Sequence, residues 1–131
     1  PEFTALENAL LPSLMLGDDY TKAKKDAIKI FTSLGMLGQI DHLPSQLSGG
    51  EQQRVSVVRA VVRRPKILFA DEPTASLDTE RSKDLMSVLL QLHKQGQTII
   101  MVSHEEEFAI MAQRMIHVRD GEIESDVILK K

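Results

Sequence analysis

Along the first 64 positions, apolar residues recur at the three- and four-residue spacing of helices; beyond them they gather in short continuous runs. Leu6, Leu10 and Leu14 follow Thr4 and Glu7, a pair at capping-box spacing. They predict a first short helix that runs through Pro12 and stops at Gly17-Asp18-Asp19. From Thr21, the residues Ala27, Ile30, Phe31 and Leu34 fall at i, i+3, i+4 and i+7, and Gly35 stands where a helix commonly ends. Residues 38–47, with Pro44 among them, read as a loop. A third helix begins after Ser48, with Glu51 placed to reach back to the cap, and ends near Arg63-Arg64 before Pro65.

The second half has another rhythm. Ile67-Leu68-Phe69-Ala70 is a continuous apolar run ending in Asp71-Glu72-Pro73, which predicts a strand buried on both faces. A helix follows, with Asp78 as its cap, Leu85, Val88, Leu89 and Leu92 as its apolar stripe and Gly96 as its stop. Residues 98–102 predict a second buried strand, and strand, helix, strand in that order implies a parallel, right-handed unit. Residues 105–112 predict a short helix. Residues 115–118 and 122–124 flank Asp120-Gly121, a hairpin turn. The expected fold class is α/β, with a helical part over 1–64 and a partial α/β core over 65–131.

Composition narrows the function. At 131 residues, 42% apolar and 27% charged, the chain has the make-up of one soluble globular domain. A net charge of −3, one Tyr and four Phe offer neither a basic stripe nor a stacking platform, so no nucleic-acid partner is expected. The absence of Cys excludes disulfides, thiol catalysis and cysteine-based zinc sites. No apolar run reaches the length of a membrane span, and no basic segment followed by an apolar one opens the chain.

Three stretches carry candidate chemistry. In "LSGGEQQRV", two glycines occupy the first turn of a helix, where each costs about 1 kcal/mol against alanine. Bare backbone at a helix N-terminus suits a phosphate, and the same letters also suit an ordinary cap. In "KILFADEPTASLD", Asp71 and Glu72 sit where a strand leaves the core, the end at which open parallel sheets bind ligands. An acid pair there can hold Mg²⁺ and activate water, or be a solvated loop. His104 closes "TIIMVSH" at the same edge; by itself a lone histidine is more often an ordinary surface or core residue.

Taken in order, "LSGGEQQR", "ILFADEPTASLD" and "TIIMVSH" resemble the ATP-binding subunit of ABC transporters: signature motif, Walker B, D-loop and H-loop. The resemblance covers essentially the whole chain, "PEFTALENALLP" and "MIHVRDGEIESD" included. Within the family it is most like the ATPases of lipoprotein-release and macrolide-exporter-type permeases. It implies ATP and Mg²⁺ as cofactors, with Asp71 serving the metal, Glu72 as general base and His104 as γ-phosphate sensor. Ser48, Gly49, Gly50 and Glu51 would face the nucleotide held by an opposing subunit, and Ser76, Leu77 and Asp78 would form the loop that crosses the dimer interface. The chain departs from common family usage at Ala75, in "VSVVRAVV" and at Glu105.

The motif G-x-x-x-x-G-K-[ST] is absent, since none of the seven glycines is followed by Lys. The resemblance therefore implies the C-terminal part of a P-loop NTPase core of ABC type, lacking the phosphate-loop half and inactive by itself. The expected partners are a second ATPase subunit and a membrane permease, at the cytoplasmic face of a membrane. The strand at 98–102 would keep an open edge through which copies of the chain self-associate. Two other readings are a chromosome or DNA-repair ATPase of the same superfamily, which the lack of sustained heptads disfavours, and a non-catalytic decoy.

Overall fold

A computed structural model describes residues 2–75 and 77–129, and its helices start where side chains can satisfy free amides. Helix α1 spans Ala5–Met15 and α3 spans Gly49–Val61. Each opens on a complete capping box: Thr4 accepts from the Glu7 amide at 3.2 Å and Ser48 from the Glu51 amide at 3.3 Å. In return Glu7 and Glu51 accept from the Thr4 and Ser48 amides at 2.7 and 2.8 Å. Such a cap contributes about 1 kcal/mol. Helix α2, Tyr20–Ser33, is capped by Asp19 and stopped by Gly35, whose φ of 68° is open to glycine at little cost.

The predicted loop at 38–47 contains two short 3₁₀ turns, Leu37–Gln39 and Pro44–Gln46. Its carbonyls at Ile40 and His42 accept the Leu6 and Ala5 amides, so the loop closes the N-terminus of α1. Helix α3 ends two residues before the predicted stop, at Val61, and Arg64 turns the chain with φ of 52°. Arg63 then pairs with Asp18 through two contacts of 2.8 and 3.3 Å, tying the end of α3 to the α1–α2 corner.

Strand β1, Ile67–Asp71, helix α4, Thr79–Lys94, and strand β2, Thr98–Val102, follow in order, and the strands pair in parallel from Ile67 with Thr98 to Asp71 with Val102. The expectation of strands buried on both faces is corrected. Leu68 joins the core, and Ile99 and Met101 pack against it, but Ile67, Phe69, Ile100 and Val102 are exposed, Phe69 at 72%. Side chains alternate across a strand, and among the described residues helical cover lies on one face of this two-stranded sheet. β2 likewise pairs on one side only among the described residues.

Helix α5 is shorter than predicted, Glu106–Ala109. Strands β3, Arg114–Arg119, and β4, Glu122–Ile128, form the expected hairpin around Asp120-Gly121, where both residues have positive φ, as a type I′ turn requires. One core cluster joins the two halves, with Ala5, Leu10, Phe31 and Val58 from the helical part and Leu68, Leu89 and Phe108 from the rest.

Candidate functional site

The parallel pair brings together two residues 32 positions apart in sequence. Past the last register pair, the Glu72 amide donates to the Val102 carbonyl at 2.9 Å, so the ladder runs one bond beyond β1. Glu72 then takes φ of 43°, a left-handed conformation that a non-glycine residue seldom adopts. The chain from Val102 reaches His104 two residues later at the same edge. There His104 Nδ1 lies 2.9 Å from Glu72 Oε2. That oxygen is cut off from solvent and has no well-aligned donor, so the imidazole meets it at hydrogen-bonding distance but off the ideal line.

The carboxylate acts on the imidazole in return. Its hydrogen-bonding contact and its charge, with a smaller charge effect from Glu105, hold His104 protonated to higher pH than the ordinary value of 6.5. With the His104 side chain 72% exposed, solvent screens this attraction. The charged pair is fully formed below the ordinary value and is lost as pH rises through the elevated one. An NMR titration is expected to place the His104 midpoint above 6.5 and to bring it back toward 6.5 in Glu72→Gln. A midpoint indifferent to that substitution would rule the contact out.

Asp71 ends β1 on the exposed side, one residue before Glu72. Among the described residues no group of three or more His, Asp or Glu could hold a metal ion alone. A divalent cation at Asp71 would draw its remaining ligands from phosphate oxygens and water, as Mg²⁺ commonly does.

At the N-terminus of α3, Ser48 is exposed and Gly49 and Gly50 are half-exposed. Neither glycine has a positive φ. A Cβ on Gly50 would meet nothing within 4 Å, and one on Gly49 would meet only the flexible Arg81 guanidinium at 3.1 Å. The packing of this chain therefore demands neither glycine. Glu51 is engaged in the cap: its carboxylate accepts from Ser48, and that hydrogen bonding holds it below the usual carboxylate range. Asp78 caps α4 by accepting from the Arg81 amide at 2.9 Å and lies 3.4 Å from the Arg81 guanidinium. Ser76 lies outside the described residues.

The predicted residues thus fall into two groups. Glu72 and His104 touch, with Asp71 adjacent; Ser48, Gly49 and Gly50 form a separate surface, and no hydrogen bond or ion pair among the described residues joins it to them. Gln53, further along α3, donates from Nε2 to the carbonyl of Pro73, the residue after Glu72, at 3.3 Å. Gln53, Arg81 and Thr74, whose hydroxyl bonds Glu105, were not singled out from sequence. The available signal was position alone, since Thr74 and Glu105 are near neighbours of Glu72 and His104.

A family model described as ABC transporter matches residues 1–75. The lipoprotein-releasing system ATP-binding protein LolD of Syntrophotalea carbinolica is 44% identical over 124 residues, 94% of this chain and 55% of that protein. The macrolide export ATP-binding/permease protein MacB of Chlorobaculum tepidum is 45% identical over 125 residues, 94% of this chain and 19% of that protein. The chain thus spans between about a fifth and just over half of these relatives. Its fold is that of the dimeric MJ0796 structure, a bacterial ABC transporter cassette, with a TM-score of 0.76 and 34% identity over 100% of this chain and 59% of the other. A post-hydrolysis structure of the same cassette, bound to ADP and Pi, matches with a TM-score of 0.75.

Proposed function

This chain belongs to the ABC transporter family, and from that premise we propose that it supplies one half of each of two composite ATP-hydrolysing sites in a transport ATPase. The observation that carries the reading is the Glu72–His104 contact at the edge of the parallel strands. A carboxylate at hydrogen-bonding distance from an imidazole, beside a second acid, is equipped to orient a water and take its proton. In this reading Glu72 is the general base, His104 holds it in place and faces the γ-phosphate, and Asp71 would hold Mg²⁺. The metal, when bound with nucleotide, would offset charge on the phosphate oxygens. Ser48, Gly49 and Gly50 present a helix N-terminus to a γ-phosphate held by the opposing subunit, and Glu51 keeps that turn in shape. Ser76 and Asp78 belong to the loop that crosses to that subunit.

Residues 1–64 act as the helical subdomain and 65–131 as part of the nucleotide-binding core. The partners in this reading are a second ATPase subunit, in line with the dimeric cassette, and a membrane permease, in line with the names of the relatives, with the protein on the cytoplasmic face. No helix of the described residues is long and apolar enough to cross a membrane. In the chain by itself, the open side of β2 is where a second copy would add a strand.

The test compares the chain alone with the chain joined to a segment bearing G-x-x-x-x-G-K-[ST]. Without the lysine and the amide nest of such a loop, the 131 residues alone are expected to bind ATP weakly and to hydrolyse it negligibly. The joined protein is expected to hydrolyse it. Steady turnover by the chain alone, abolished by Glu72→Gln, would overturn the composite-site reading.

A further inference from the structure

His104 is 72% exposed, and beyond Glu72 it makes no other hydrogen bond or ion pair among the described residues. Its own contacts therefore do not explain why it stands against Glu72. The explanation lies one and two residues away. Thr74 is 2% exposed, and its hydroxyl donates to the Glu105 carboxylate, 31 residues on in sequence. A buried hydroxyl left without a partner is costly, so this bond is strongly favoured once the loops meet.

We propose that Thr74 and Glu105 are a positioning pair that holds the loop after Glu72 against the loop carrying His104, and so fixes the contact between those two residues. Each loop is stiffened on its own side. Ala75 donates to the Glu72 carbonyl at 3.2 Å and Leu77 to the Thr74 carbonyl at 2.9 Å, while the Glu105 amide donates to Ser103 Oγ at 3.1 Å. Glu105 occupies the N-cap position of α5, yet its side chain does not cap that helix; it turns to Thr74 instead. The bond crosses from one loop to the other, two residues past Glu72 and one past His104.

The functional meaning of the pair rests on the hydrolytic reading given above, but its test does not. In the 131-residue chain, Thr74→Val removes the hydroxyl at nearly constant volume and leaves the Glu105 charge in place. The His104 titration followed by NMR is expected to lose at least half of its elevation above 6.5 in Thr74→Val and to keep it in Thr74→Ser, both with native circular dichroism. A midpoint unchanged or higher in a folded Thr74→Val overturns the pairing role. If Thr74→Val does not fold, the wild-type chain decides. A Thr74 hydroxyl proton protected from exchange and close to the Glu105 side chain supports the pair, and a freely exchanging one overturns it. Neither outcome touches ATP turnover, so failure of the pair and failure of the hydrolytic reading are separately visible.

Discussion

Glu72→Gln in the complete cassette is expected to lower ATP hydrolysis by about 10²–10⁴-fold while leaving ATP affinity within about twofold. Glutamine keeps the shape of the side chain and an oxygen within reach of His104, and it removes the one property a base needs, affinity for a proton. General acid–base catalysis contributes about that factor, whereas nucleotide affinity rests on phosphate contacts elsewhere. The left-handed backbone at position 72 tolerates glutamine no worse than glutamate, so the loss would not come from unfolding. Turnover and equilibrium ATP binding measured on the same preparation check it. A rate close to that of the unsubstituted protein would show that Glu72 is not the base.

Phe31→Ala is expected to destabilise the fold by about 3–5 kcal/mol. Phe31 is fully buried, in the cluster that joins the two halves, together with Leu34 and Met36 that follow it. Its removal deletes transfer energy and leaves a cavity that helices held by capping boxes and ion pairs can close only in part. A domain of this kind has about 5–15 kcal/mol in total, so about a fifth or more of it would go. Phe69→Ala, at a side chain 72% exposed, is expected to stay within about 0.5 kcal/mol. Urea unfolding followed by circular dichroism compares the two. Equal losses would mean that Phe69 is covered in solution.

That contrast marks where the sequence could be read and where it could not. Thr4 with Glu7 and Ser48 with Glu51 announce helix starts because the cap is local chemistry, complete within four residues. Gly35, Gly96 and Asp120-Gly121 likewise end elements through their own backbone freedom. Burial of β1 could not be read the same way. An apolar run shows that a strand can be covered on both faces, but cover is supplied by other elements, and here one face has none among the described residues. In the candidate site, the nearness of Glu72 and His104 followed from the common edge of a parallel pair. The Thr74–Glu105 bond did not, because a threonine and a glutamate in two loops carry no sign of each other until the register from Ile67 with Thr98 to Asp71 with Val102 is known.

The left-handed backbone of Glu72 also sets folding against chemistry at one position. A side chain bearing Cβ costs about 1–2 kcal/mol in that conformation, a cost glycine escapes. Glu72→Gly and Glu72→Ala both discard the carboxylate, so they differ in backbone preference alone. Glycine is therefore expected to be the more stable of the two by about 1 kcal/mol, the reverse of its usual rank. Under the proposed role of Glu72 as the base, descendants released from hydrolysis would be free to drift toward glycine or asparagine here, so the persistence of an acid at position 72 in a lineage would itself record continued selection for turnover.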